Sequence, residues 1–398
     1  MWNLTKEAKE KFSKCHLLPI HESDDDWKMA LREAKTERED LIARLKEELK
    51  EVKEELLHVL PGRFIPYVEN GTLNQPTLPK KVREDYLQWV QETVKEFEQI
   101  LDAAHEQTLH AIAYLPMAVQ DVFAESLHDA IIERIEREGN TLHLYINTDS
   151  GFSTKSHIHL IFNDVIIEES DDLLQVGQLL IYYELQKTDE GFAFRVLFDC
   201  PEAEWTITMK GMNAQYYYRP MMYTRLRDEE KLEETSLTEY VSLLNPDYRY
   251  SLITPHLRSN INAFTDNLIL DKGKFELGQN EIVVSVENQR FIYDLTEYNP
   301  IQFIYTDVYE DPYAHFNEPV PTEQIEAAAL GNDLELQVRA WNTMYANPKA
   351  LADIINRVLW KIQITEENQM MVSVYASHFY KSEILIEAVL ERYRNLID

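Results

Sequence analysis

The feature that most constrains this chain is a change of hydrophobic period near Ser126. Before that point apolar residues recur every three or four positions, and after it they alternate. Residues 25–60 carry Leu31, Leu41, Leu45, Leu49, Val52, Leu56 and Leu60 on one stripe, with Lys and Glu on the other face, until Pro61-Gly62 stops the pattern. A second stripe through Val82, Tyr86, Trp89, Val94, Phe97, Leu101 and Ala104 predicts a helix from about Lys80 to Tyr114, closed by Pro116. One amphipathic helix cannot bury its own stripe. The two must pack on each other or across the next domain.

Beyond Ser126, Leu142, Leu144 and Ile146 alternate with His143, Tyr145 and Asn147, and Ile158, Leu160 and Phe162 with His157, His159 and Ile161. Phe192, Phe194, Val196 and Phe198 repeat the pattern, and Gly139-Asn140 and Asp149-Ser150-Gly151 mark turns. Short alternating runs joined by turns predict an antiparallel meander with its apolar face covered by the long helices. Charged residues at 226–239 predict a linker. Further on, Leu257, Ile261, Phe264 and Leu268 are spaced as a helix, and strands are predicted at 282–287, 290–295 and 301–306. Helical patterns return at 323–344, 348–361 and 381–397, with a strand-like Met370–Tyr375 between the last two. The expected fold is α+β: N-terminal long helices packed with an antiparallel sheet domain, followed by a separate C-terminal α+β module. The expected segments are 1–120, 121–225, the 226–239 linker and 240–398.

Composition narrows the partners. Lys and Arg number 39 against 70 Asp and Glu, for a net charge of −31, which disfavours binding to nucleic-acid phosphates. With 22 Tyr, 15 Phe and 6 Trp, global disorder is excluded. No basic start leads into an apolar signal segment, and no apolar run approaches the ~20 residues that span a bilayer. The 2 cysteines are too few for a disulfide framework or a thiolate zinc site, and Cys200 is expected to be a buried or structural thiol. These points predict a cytoplasmic protein with no membrane contact. The steepest acidic run is 281–338, where Arg290 is the only Lys or Arg.

Several marks, in order along the chain, carry a resemblance. They are the opening Leu4-Thr5-Lys6-Glu7, Leu60-Pro61-Gly62-Arg63-Phe64, Asn70-Gly71-Thr72-Leu73-Asn74, Ser126-Leu127-His128-Asp129-Ala130, Gly151-Phe152 and Leu197-Phe198-Asp199-Cys200. With them, roughly residues 1–210 resemble a family of Bacillus-type bacterial proteins, domain of unknown function 4085. The family more often has Ser-Gly-Gly-Phe where this chain has Asp149-Ser150-Gly151-Phe152, and it brings no catalytic assignments. Its His-Asp strand module is similar to ones in bacterial immunity-type proteins, which implies an immunity-like or regulatory role.

Three clusters could carry chemistry. His128 and Asp129 are adjacent, so they suit backbone hydrogen bonding, with substrate contact or acid–base work as the alternative. His157 and His159 share a strand face. If the hairpin centres near Ser150, His143 lies opposite His157, and the imidazoles could hold zinc or another divalent metal with Asp129 or Asp149 as a further ligand. A plain histidine patch is the simpler outcome, and no cofactor is expected. Asp307, Tyr309, Glu310, Asp311 and Tyr313 combine carboxylates with rigid aromatics, a combination suited to a basic protein partner. The Tyr216–Tyr223 stretch offers another contact strip or interdomain packing. Gly-x-Gly-x-x-Gly, Walker and Gly-x-Ser-x-Gly motifs are absent from the sequence. The expected function is a non-enzymatic interaction protein that binds a basic partner. The alternatives are a metal-dependent hydrolase using the histidines and a homo-oligomeric adaptor built on the N-terminal helices.

Overall fold

Thr5 starts the first helix, α1 (Lys6–Cys15), by accepting the Ala8 amide on its hydroxyl at 3.2 Å. Ser23 and Asp26 form a capping box at the head of α2 (Asp24–Glu37), which ends at Arg38 with a left-handed φ of 61°. Asp40 then caps α3 (Leu41–Val59). The single helix expected over 25–60 is thus two, and they part where the leucine stripe lapses between Leu31 and Leu41. After α4 (Ile65–Glu69), the long α5 (Lys80–Ile112) and short α6 (Met117–Phe123) complete the helical part. Leu49, Leu56, Phe64, Tyr86 and Trp89 form the core among α3, α4 and α5. The computed structural model describes residues 2–265, 268–365, 368–394 and 396.

The alternating segments form β1 (Ala130–Glu138), β2 (Thr141–Asn147), β3 (His157–Ser170), β4 (Leu179–Thr188), β5 (Gly191–Asp199) and β6 (Ala203–Tyr217). They are not an open meander. Their order β1-β2-β3-β6-β5-β4 closes into a barrel through β1–β4 pairing. Closure removes the two sheet edges a meander would leave. One residue of each alternating pair points inward, so Leu144, Ile146, Leu160, Phe162, Phe194 and Trp205 are fully buried together. Val119, Val122 and Phe123 of α6 join the same core. Helix α5 lies along β4, where the Thr108 hydroxyl accepts the Leu185 amide at 3.0 Å and Phe97 meets Tyr182 edge-on at 5.1 Å. Cys200 is exposed rather than buried, in the left-handed turn between β5 and β6 (φ 57°).

Two compact units divide the chain: Met1–Arg219 with Asn245–Val308, and Pro220–Leu244 with Tyr309–Asp398. The first unit adds to its barrel a second antiparallel sheet of β7 (Tyr250–Ile253), β8 (Arg258–Phe264), β9 (Leu268–Leu270), β10 (Gly273–Leu277), β11 (Glu281–Val286), β12 (Gln289–Asp294) and β13 (Ile304–Thr306). Its strand order is β12-β11-β10-β9-β8-β7-β13. Leu257, Ile261, Phe264 and Leu268 lie on or beside strands, not on the expected helix. The second unit is helical: α7 (Met221–Asp228), α8 (Leu237–Ser242), α9 (Ile325–Ala329), α10 (Leu334–Ala346), α11 (Ala352–Lys361), α12 (Gln369–Lys381) and α13 (Glu387–Tyr393). The strand expected at Met370–Tyr375 belongs to α12, and positions 395 and 397 of the expected 381–397 helix lie outside the described residues. The architecture is α+β. Among the described residues no helix is long and apolar enough to cross a membrane.

Candidate functional site

The outward residues of β2 and β3 carry a ladder of polar rings. Because Leu142, Leu144 and Ile146 point into the barrel, His143, Tyr145 and Asn147 point out, and His157 and His159 do the same on β3. The connection spans 148–156, closed by the Thr148 amide donating to the Ser156 carbonyl at 3.1 Å. It centres beyond Ser150, so His143 pairs with Ile161, Tyr145 with His159 and Asn147 with His157. The expected His143–His157 pairing is displaced by an even number of residues. The partners change while the face is retained.

Each imidazole is already engaged. His143 Nδ1 and His159 Nε2 share a hydrogen bond of 2.9 Å. The Tyr145 ring stacks on His159 with centroids 4.1 Å apart, and the Arg134 guanidinium sits over Tyr145 at 3.7 Å. His157, buried, meets Glu133 through Nδ1 at 3.2 Å, and Asn147 donates to the same carboxylate at 2.8 Å. Asp149 is held by Arg219 in an ion pair of 2.6 Å, and that guanidinium lies 4.0 Å from the Tyr305 ring centre. Burial, then the neighbouring His143, His157, Arg134 and Arg258, push the His159 pKa down to about 3. Burial works to raise Glu133, but the His157 and Asn147 bonds outweigh it and hold the carboxyl low. Among the described residues no group of three or more His, Cys, Asp or Glu is placed to hold a metal ion. The expected convergence of His143, His157 and His159 with Asp149 or Asp129 is corrected accordingly. Two imidazoles bind each other, the third binds Glu133, and Asp149 is neutralised by Arg219.

His128 and Asp129 stand at the entry to β1. The His128 amide donates to the Ser126 hydroxyl at 3.2 Å, and its ring stacks beside Tyr182 at 5.7 Å and near Phe152 at 6.1 Å. Its Nδ1 is 3.6 Å from Asp129 Oδ1, too long for a hydrogen bond. Asp129 takes a left-handed φ of 63° and donates its amide to the Leu180 carbonyl at 2.8 Å. Gly151 fits only because it lacks a side chain: a Cβ there would lie 2.6 Å from the His128 carbonyl oxygen. A small cavity of about 180 Å³ beside this junction is lined by His105, Thr108, Ser126, His128 and Tyr182.

Glu125, which sequence patterning did not single out, anchors the same loop. It accepts from the Ser153 hydroxyl, the Thr154 amide and the Thr154 hydroxyl, each at 2.7 Å, and pairs with buried Lys155 at 2.9 Å. Burial alone would raise this carboxyl, but the bonds from Ser153, Lys155 and Thr154 bring it down to about 2. Glu133 was missed as well, and Arg219 figured only within the Tyr216–Tyr223 contact strip, not as the partner of Asp149. Their only signal was a charge within an alternating run and one next to an aromatic cluster.

Beside the ladder, β6 and the second sheet enclose a polar cavity of about 640 Å³, lined by Gln215, Tyr217, Tyr248, Arg249, Asn260 and Asp307 among others. Asp307 is exposed and has no hydrogen bond or ion pair from its carboxylate among the described residues. Burial raises the Tyr217 hydroxyl and the Asp307 charge adds to that, while Arg258, 5.2 Å from the Tyr217 ring centre, opposes both. The other four residues grouped with Asp307 in the sequence belong to the second unit. There Asp311 accepts the Tyr313 amide at 2.8 Å, and the Tyr313 hydroxyl donates to Asp228 at 2.5 Å. Tyr309 is exposed and Glu310 half-buried. None of the acids between 281 and 338 is buried.

A family described as "Protein of unknown function (DUF4085)" matches residues 3–209, and the chain belongs to it. No curated protein and no solved structure matches the chain. The matched stretch takes in α1 to α6 and the barrel as far as Met209, so it contains the histidine ladder but not Asp307. The marks that carry the resemblance are packing devices here. Leu4 and Leu197 share a small core with Ala104, Lys9 pairs with Asp199 at 2.5 Å, and Gly151 lies against His128.

Proposed function

We propose that this member of the DUF4085 family is a non-enzymatic interaction protein that binds a basic protein partner, with Asp307 receiving a lysine or arginine side chain at the tyrosine-bearing cavity of the first unit. The single observation that supports this reading most is the unpaired Asp307 carboxylate beside Tyr217 and Tyr248 in a cavity of about 640 Å³. A carboxylate without an internal partner keeps its charge available, and tyrosine rings add cation–π attraction at little entropic cost. Arg249 lines the same cavity. Recognition would therefore depend on a charge pattern, since a partner must bring a cation to Asp307 without setting a second against Arg249. The net charge of −31 would speed encounter with such a partner at low salt. An immunity-like or regulatory role fits this reading and would be exercised through the partner.

Calorimetric titration of the full chain with an oligolysine peptide, with oligoglutamate as control, tests it. Binding of oligolysine is expected to weaken as salt rises, and Asp307→Asn is expected to weaken it about tenfold, as loss of one charge-assisted contact would. Absence of oligolysine binding at low salt, or equal binding by Asp307→Asn, would discard the reading.

A further inference from the structure

The second sheet ends in β12, and among the described residues no strand pairs with the outer edge of β12. The hairpin determines which backbone groups face that edge. Val286 pairs with Gln289 across the loop Glu287-Asn288, and so short a loop makes the closing pair a hydrogen-bonded one. Gln289, Phe291 and Tyr293 therefore bond inward to β11. The Leu295 amide, donating to the Asn280 carbonyl at 3.0 Å, continues the same parity. The amides and carbonyls of Arg290 and Ile292 consequently point outward, together with the Asp294 amide. The Asp294 carbonyl is occupied by the Glu297 and Tyr298 amides. On the solvent face of this edge Ile292 is 55% exposed, between exposed Arg290 and Asp294.

Arg290-Phe291-Ile292-Tyr293-Asp294 is complementary to itself when reversed. Laid antiparallel on a second copy and centred on Ile292, it sets Arg290 opposite Asp294 at both ends. Phe291 then faces Tyr293, and Ile292 meets its equivalent. That register also joins residues of the outward parity. The Ile292 amide reaches the Ile292 carbonyl of the second copy, the Asp294 amide reaches the Arg290 carbonyl, and both bonds are reciprocated. A slip of two residues would set a charge against Ile292. Arg290, the only Lys or Arg between 281 and 338, has no ion pair among the described residues. Asp294 uses Oδ1 for the Thr296 amide and hydroxyl, both at 2.8 Å, which leaves Oδ2 for an incoming guanidinium.

We propose that β12 is a homotypic interface, at which a second copy of this chain adds its own β12 antiparallel and joins the two second sheets across a two-fold axis. The contact closes on itself, so it makes dimers and covers an edge that would otherwise invite open-ended strand addition. A contact of one short strand is small, and the dimer is correspondingly weak and concentration-dependent.

Sedimentation equilibrium of the full chain, carried up to about 1 mM, tests this. The wild type is expected to show a reversible monomer–dimer equilibrium. Arg290→Asp and Asp294→Arg, each alone, place like charges at both ends and are expected to raise the dissociation constant about tenfold or more. An equimolar mixture of the two variants, and the doubly reversed chain, are expected to recover it. Ile292→Pro removes an outward amide that takes no part in the β11 ladder, so it is expected to keep the wild-type circular dichroism while weakening the dimer. A wild type that stays monomeric at about 1 mM overturns the proposal. So does a dimer indifferent to the charge reversals and to Ile292→Pro, or single variants whose mixture fails to re-associate.

Discussion

His159 and Glu125 make opposite demands on the proton. His159 is held down to about 3 by burial first and then by nearby His143, His157, Arg134 and Arg258. In the unfolded chain it would titrate near 6.5. Between those values the unfolded state binds the extra proton, so the stability linked to His159 is complete above about 6.5 and declines as pH falls toward 3. Glu125 is held at about 2 by its hydrogen bonds. Its contribution is intact above the unfolded carboxyl value of roughly 4.3 and is lost between there and 2. Urea denaturation at a series of pH values should therefore show two successive declines, one starting near 6.5 and one near 4.3. His159→Gln should flatten the first and leave the second, and an unchanged slope between pH 6.5 and 5 would contradict the account. Glu125→Gln should cost about 2 kcal/mol at pH 7, because Lys155 then keeps its buried charge without a carboxylate. A loss below about 0.5 kcal/mol would mean that water replaces the bonds.

At the scale of elements, the turn between β2 and β3 is tied down more firmly than its polar sequence suggests. Gly151 packs where a Cβ would fall 2.6 Å from the His128 carbonyl, and that backbone cannot give without moving the start of β1. Gly151→Ala should lower the midpoint of thermal unfolding by several degrees, as a loss of about 1–3 kcal/mol would, whereas Ser150→Ala should cost less than Gly151→Ala. Equal, small effects would show a loose turn. The sequence made β2 and the start of β3 legible because their inward side chains are apolar while His143, Tyr145, Asn147, His157 and His159 face outward. It left closure illegible, since no local pattern says that β3 pairs with the distant β6. The same limit explains the two misassigned segments. Leu257, Ile261, Phe264 and Leu268 have helical spacing by accident of strand length, being distributed over β8, its approach and the start of β9. Val372, with Ala376 and Phe379, faces the second unit's core from a helix despite its β-branched neighbourhood. The histidine face was legible and its pairing was not, because the face depends on parity alone whereas the partner depends on turn length.

For the whole molecule the dominant electrostatic fact is imbalance rather than pairing. A net charge of −31 repels itself, while exposed ion pairs such as Lys50–Glu47 or Arg394–Glu391 are worth little. The more buried pairs, Arg219–Asp149 and Lys155–Glu125, are shielded from salt by their burial. Raising ionic strength should then relieve repulsion more than it weakens attraction. The midpoint of thermal unfolding at pH 7 is expected to rise between about 10 mM and 150 mM sodium chloride, as the Debye length shortens from roughly 30 Å to 8 Å. Near the isoelectric pH of about 4.8 the repulsion vanishes, and the same addition of salt should leave the midpoint level or lower it. Scanning calorimetry at the two pH values, using the same salt steps, separates the effects. A midpoint at pH 7 that falls with salt would mean that surface pairing, not self-repulsion, governs the folded state.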